Sequence, residues 1–165
     1  MKEEASALAT DYPLDSPPDW WIDSYSKLRA FAAVVAPADM EPDDLLHEAL
    51  ERVLRASRSR DIENLEAYVR RTIVTRATDF RRRRARWRRV AALASSRDDR
   101  TVDVYPSDLQ TLMLLDPSVR GLLYLVEVEG WLISDAAVLV GCSAQAARQR
   151  LSRARRQLGL ELQGG

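Results

Sequence analysis

Between Asp79 and Arg89 the chain reads DFRRRRARWRR, seven guanidinium groups in eleven residues. The chemistry open to such a run is the binding of a polyanion, because each phosphate neutralised releases condensed counterions and favours association. As a bare helix the run is unfavourable: like charges at i, i+4 spacing, such as Arg82 with Arg86 and Arg84 with Arg88, cost roughly 0.2–0.5 kcal/mol per pair. Asp79, facing Arg82 and Arg83, offsets part of this, as does the dipole near a helix C-terminus. A merely solvated helix end is the alternative reading. Trp87 suits base stacking or plain packing, and packing is preferred. A second candidate set lies in the tail, where Gln145 and Gln149 offer amides suited to base edges and Arg148, Arg150 and Arg153 offer cations for phosphates. A third set has the opposite sign. Asp44, His47, Glu48 and Glu51 would line one helix face that nucleic acid repels; it is either simply wet or the complement of a basic protein surface.

Other chemistries find few residues. Cys142 is the single cysteine and His47 the single histidine, which removes disulfide frameworks, cysteine-rich zinc sites and most histidine-dependent metal sites. No carboxylate pair, no nucleophile beside a base and no ligand cluster stands out, so neither an enzyme nor a bound metal or cofactor is expected. No stretch approaches the roughly 20 apolar residues that span a bilayer, and no cationic segment followed by an apolar one opens the chain. A cytoplasmic protein in a reducing compartment, with no membrane insertion, is the expectation.

The formal net charge of zero hides an alternation. Residues 1 to 54 carry 12 acids and 4 bases, residues 55 to 89 carry 4 and 13, residues 90 to 135 carry 8 and 3, and the remainder carries 1 and 5. Segregation of this kind argues for at least two surfaces with different partners.

The elements that must position these groups all read as helices. Residues 1–19, with three prolines in DYPLDSPPD, read as a flexible acidic leader. Trp21, Tyr25, Leu28, Ala32 and Val35 recur at helical spacing until Pro37. After Pro42, with Asp43 and Asp44 at the positive end of a dipole, Leu46, Ala49, Leu50 and Val53 form a second stripe. Asn64 is a cap for a third helix lined by Leu65, Tyr68, Val69, Ile73, Ala77 and Phe80. An acidic stretch broken by Pro106 reads as a linker. Beyond it, Asp116, Pro117 and Gly130 bracket a helix as cap, first residue and stop. Ala137, Gly141 and Ser143 then supply the small residue, the turn and the cap of a helix-turn-helix whose last helix buries Ala147, Leu151, Ala154 and Leu158. Such a unit lays its second helix in the major groove. A plain amphipathic hairpin with a solvated basic face is the bland alternative.

Taken in order, PDDLLHEALERVLRA, LEAYVRRTIVTRATDFRRRRARWRR and VGCSAQAARQRLSRARRQL resemble the small extracytoplasmic-function group of the bacterial sigma-70 family over about Trp20 to Leu160. The resemblance implies an all-α protein of two small helical domains joined by a flexible linker. A region 2-like bundle would span residues 20–90, a linker 91–107, a region 4-like helix-turn-helix 108–160 and a short tail 161–165. It also implies the roles. The acidic helix would dock on core RNA polymerase through Asp44, Leu45, His47, Glu48 and Glu51. The helix entering the basic run would read and open the minus-ten element of promoter DNA through Tyr68, Arg71, Thr75, Arg76 and Asp79, followed by Arg81, Arg82, Arg83, Arg84, Arg86 and Trp87. Gln145, Arg148, Gln149, Arg150 and Arg153 would read the minus-thirty-five element. An anti-sigma factor or adaptor protein is a further expected partner. His47 stands where the family usually has glutamine, and Thr75 where it generally has asparagine. WLISDAAVLV lacks the usual serine-to-glutamate cap, for which Ser134 or Asp135 are the substitutes. Two rival readings are a conventional helix-turn-helix regulator with a dimerising front half and a degenerate sigma-like interaction protein that does not initiate transcription.

Overall fold

Apolar residues at i, i+3 and i+4 spacing dictate helices throughout, and in the computed structural model, which describes residues 19–94 and 108–159, every regular element is helical. The expected leader, most of the linker and the tail lie outside the described residues. In chain order the elements are α1 (Asp19–Val35), α2 (Pro42–Ser57), α3 (Leu65–Ala94), α4 (Asp108–Leu114), α5 (Pro117–Leu123), α6 (Ile133–Val140) and α7 (Ala144–Gln157). A π-helical turn, Tyr124–Val128, extends α5.

Helices α1, α2 and α3 pack mutually, and α5, α6 and α7 do the same. From α1 come Leu28, Phe31, Ala32 and Val35, from α2 Leu45, Leu46, Ala49 and Val53, and from α3 Val69, Ile73, Val74 and Ala77, all buried. The second group centres on Leu122, Leu125, Ala136, Ala137, Ala147, Leu151 and Ala154. The two groups meet. α5 lies on α1 and α3, α6 lies on α3, and the buried side chains form one continuous cluster.

Local chemistry sets the boundaries. Asn64 Oδ1 accepts from the Ala67 amide at 2.9 Å, Asp116 Oδ1 from the Ser118 amide at 2.9 Å and Ser143 Oγ from the Ala146 amide at 3.1 Å. Each side chain satisfies a donor that a helix start leaves free. Gly141, at φ 79°, ends α6 in the left-handed region, and nothing lies within 4 Å of where its Cβ would be, so the glycine answers a backbone demand rather than a packing one. The cap expected from Ser134 or Asp135 is not made: α6 starts after Leu132 with no side-chain cap, and Asp135 serves only as an acid in the first turn.

Arg29 Nε donates to Asp43 Oδ1 at 2.7 Å and joins α1 to α2. That bond and the Arg29 charge hold the Asp43 carboxyl below its ordinary value of 3.8. With the folded-state value depressed, the contribution is present above about pH 4 and is lost as pH falls through the folded-state value. Asp43→Asn is expected to flatten the acid limb of stability against pH, with a small loss of stability at pH 7 and little change at pH 3. Urea titrations from pH 3 to 7 measure this. In the same titrations at pH 7, Ser143→Ala is expected to lower stability by about 1 kcal/mol.

Candidate nucleic-acid interface

The period of α3 sorts its arginines into two faces. Arg81, Arg84 and Arg88, at i, i+3 and i+7, turn toward the rest of the protein. Arg84 Nε lies 2.9 Å from Asp39 Oδ2 and Arg88 Nη2 3.4 Å from the same oxygen. Arg81 Nη2 donates to the Leu114 carbonyl at 2.9 Å, and its other terminal nitrogen is 4.0 Å from Asp116. The compensating acid is therefore Asp39 and Asp116. Asp79 contributes only its carbonyl, which accepts from Arg83 Nε at 3.5 Å; among the described residues its carboxylate makes no ion pair.

On the other face Arg82, Arg83, Arg86 and Arg89 join Arg76 and Asp79 around an open hollow of about 720 Å3. A second hollow of about 600 Å3 continues it toward the start of α3, lined by Arg52, Arg55, Tyr68, Arg71, Thr75, Arg76 and Asp79. The two share Arg76 and Asp79, so they form one cationic track along the helix. Cations outnumber acids heavily in it, and Tyr68 supplies an aromatic surface, the combination that binds the backbone and stacks the bases of a single strand. Arg52 and Arg55 of α2 were not foreseen as part of this track. Their i, i+3 spacing on the acidic helix was the available signal.

Thr75 Oγ1 donates to the Arg71 carbonyl at 2.9 Å, which occupies its hydroxyl proton and leaves an acceptor facing the groove. Arg76 Nη2 donates to Glu48 Oε1 of α2. The packing expected of Trp87 is not found. Its side chain is 73% exposed on a part of α3 that runs beyond the core, with Val90 and Leu93 exposed beside it.

The acidic helix divides as well. Asp44, His47 and Glu51 are exposed; Glu51 Oε1 accepts from Arg55 Nη2 at 2.8 Å and His47 Nε2 lies 3.3 Å from Tyr25 Oη. Glu48 is half-buried between Arg76 and Arg52. Leu45 requires a correction: it is 0% exposed, inside the α1–α3 core, where it cannot touch a partner and instead fixes the pitch of the face that can.

In the second unit, Gln145, Arg148, Gln149, Arg150 and Arg153 are exposed along α7, while Ala147, Leu151 and Ala154 anchor it. Arg155 donates from Nε to Glu127 Oε1 at 2.8 Å, which ties α7 back to the π-helical turn and removes that arginine from the outer face. Arg150 also borders a crevice of about 420 Å3 whose other wall includes Thr75, Asp79 and Arg82. The two candidate nucleic-acid surfaces thus meet.

Two buried arginines were not foreseen. Arg70 and Arg120, each 1% exposed, sit where α3 and α1 meet the second unit. The pair Glu66 and Arg70, four residues apart on the apolar side of α3, and the isolation of Arg120 as the only base between Arg100 and Arg148, were the signals in the sequence.

No helix among the described residues is long and apolar enough to cross a membrane, and none of their His, Cys, Asp and Glu side chains group as a metal site.

A sequence model described as sigma-70 region 2 matches residues 22–87, and one described as sigma-70, region 4 matches residues 109–158. No curated protein sequence matches the chain significantly. Among solved structures, the sigma factor RpoE of Bartonella quintana, crystallised in complex with the anti-sigma factor NepR, superposes with a TM-score of 0.61 at 23% identity over 88% of this chain and 95% of that one. At that identity the likeness concerns the fold.

The sorting of the arginines has a direct readout. Replacing Arg82 and Arg86 by alanine is expected to weaken single-stranded DNA binding and to reduce the slope of log K against log[salt] by about 0.7 for each phosphate that is no longer neutralised. Replacing Arg84 and Arg88 is expected to leave that slope nearly intact and to lower stability instead. Fluorescence anisotropy across a salt series, alongside urea melts, separates the two.

Proposed function

The chain belongs to the sigma-70 family, and from that premise we propose that it is a promoter-specificity subunit of the extracytoplasmic-function group, without catalysis of its own, that binds core RNA polymerase and directs initiation at promoter DNA in a bacterial cytoplasm. The observation that carries the reading is the placement of opposite charges on adjoining helices. α2 presents Asp44, His47 and Glu51 outward, and α3 presents a cationic track from Arg71 to Arg89. An anionic polymer binds only the second, so the first is left for a protein with a basic surface.

In this reading each step uses groups already described. Asp44, His47 and Glu51 hold the clamp of the polymerase, supported by Leu45 and Leu46 beneath them. Tyr68, Arg71 and Thr75 receive bases and backbone of the minus-ten element as its strands part, and Arg82, Arg83 and Arg86 take the phosphates that follow. Gln145 and Gln149, near the amino end of α7, address base edges of the minus-thirty-five element, with Arg148, Arg150 and Arg153 on its backbone. Trp87, exposed on the far part of α3, is free to stack. The neighbour RpoE is bound by an anti-sigma factor, and an anti-sigma or adaptor protein is proposed as a regulator of this chain too.

Transcription from a cognate promoter with core polymerase and this protein as the only added factor tests the function. A sigma factor supports initiation there, whereas a conventional helix-turn-helix regulator does not. Within that assay, Asp44→Lys with Glu51→Lys is expected to cut polymerase capture at least tenfold, while binding of the isolated protein to DNA is kept or strengthened. Equal capture by the variant would remove α2 as the polymerase contact.

A further inference from the structure

The two halves of the cationic track are built differently. The half toward the end of α3, from Arg76 to Arg89, is lined by α3 alone. The half toward its start has two walls. Tyr68, Arg71, Thr75 and Arg76 come from α3, whereas Arg52, Arg55 and Ala56 come from the last turns of α2 and Ser59 from the residues just after it. The volume of this cleft, about 600 Å3, is that of a small-molecule pocket, large enough for about one or two nucleotides of a single strand and too small for a duplex.

Arg52 and Arg55 stand three positions apart, which puts both on the side of α2 that faces the cleft. Each is paired within its own helix. Arg55 Nη2 lies 2.8 Å from Glu51 Oε1, and Arg52 Nε lies 3.7 Å from Glu48 Oε1. The Arg55 and Glu51 side chains are 71% and 70% exposed, and those of Arg52 and Glu48 51% and 35%. Ion pairs as open to water as these contribute little to stability, so either arginine can change partner at small cost. Arg52 is held the more loosely, because Glu48 Oε1 also accepts from Arg76 Nη2.

The opposite wall is cationic as well. Arg71 is exposed and makes no ion pair among the described residues, and Arg76 Nε is buried without an acceptor. Asp79 is the single acid lining the cleft, against four arginines. Guanidinium groups that face each other across a gap repel unless an anion lies between them. A run of phosphates supplies that anion, and Tyr68 supplies a face for a base.

We propose that Arg52 and Arg55 are nucleic-acid-binding residues, kept in reserve by Glu48 and Glu51, which move onto the phosphates of a single strand lying between α2 and α3. The proposal rests on the reading of the α3 track as the minus-ten site and adds a second wall to it. Without a strand, the two carboxylates hold these arginines along α2 and limit their repulsion with Arg71 and Arg76. With a strand, phosphate replaces carboxylate at each guanidinium, and the released carboxylate returns to water.

Binding of a fluorescein-labelled single-stranded oligodeoxynucleotide to the full chain, followed by anisotropy across a salt series, tests this. Arg52→Ala with Arg55→Ala is expected to weaken binding and to reduce the slope of log K against log[salt] by about 1.4, or ~0.7 for each of two phosphates. The deficit against the unaltered protein then narrows about sevenfold as salt rises from about 50 to about 200 mM. The loss is expected to be larger for the single strand than for the same oligonucleotide annealed to its complement. Arg52→Lys with Arg55→Lys keeps the charge and is expected to restore the slope, which a packing role alone would not require. Glu51→Gln frees Arg55 and is expected to strengthen single-strand binding about two- to fivefold, the worth of an exposed pair. That gain is expected to vanish when Arg55→Ala is also present. An unchanged slope in Arg52→Ala with Arg55→Ala, or a Glu51→Gln gain that persists without Arg55, would overturn the second wall. No binding of the single strand by the unaltered protein at low salt would overturn the wall and the track together. If the arginines of α2 behave as expected but the unaltered protein does not start transcription with core polymerase, the wall stands and the sigma-factor reading falls.

Discussion

Burying a guanidinium group is among the most costly things a fold can do, and this structure buries two at one seam. Arg70 meets the cost with two carboxylates and two aromatic faces. Arg120 has no carboxylate partner among the described residues and relies on two carbonyls and the end of a helix dipole. The same pairs that make the seam specific also make it conditional. Such interactions add little net stability against an apolar seam of the same shape, but breaking one by removing a single partner is strongly destabilising.

The arginine run follows the same logic of partition. A polyanion site needs cations whose charge is free, yet a helix with charge all round is strained by repulsion. Helical periodicity resolves the conflict without changing residue type. Arginines three or four positions apart pair with Asp39 or Asp116, and those between them line the open hollow. Because Asp39 lies after α1 and Asp116 before α5, the inward arginines also bind the long helix to both units. Removing them would uncover the carboxylates of Asp39 and Asp116 and loosen the platform that aims the remaining arginines.

Much of this was legible in the sequence. The stripes of α1, α2, α3 and α7, the caps Asn64, Asp116 and Ser143, and the turn at Gly141 follow from short-range rules, and each is found in place. What was not legible depends on long-range contacts. Leu45 reads as part of an exposed face because its neighbours Asp44 and His47 are polar, but two residues side by side on a helix point about 100° apart, and Leu45 falls on the core side. Trp87 reads as packing because aromatics usually pack, but α3 outruns the helices that would cover it. Arg70 and Arg120 are hidden for the same reason: charge reads as surface until a partner from another part of the chain is known.

The link between the two ligand faces is the least expected consequence. Glu48 belongs by sequence to the acidic face of α2, yet its carboxylate holds Arg76, which lines both hollows of the cationic track. One oxygen therefore touches both surfaces. An arginine side chain anchored in this way cannot swing freely into the groove, and a basic partner that drew Glu48 toward itself would release Arg76 to the nucleic acid. The reverse also holds, since equilibrium coupling between two binding events is reciprocal: a phosphate that took Arg76 would free Glu48 for the protein partner. Under the proposed assignment of the two faces, ligands of opposite charge would favour each other's binding through this single ion pair.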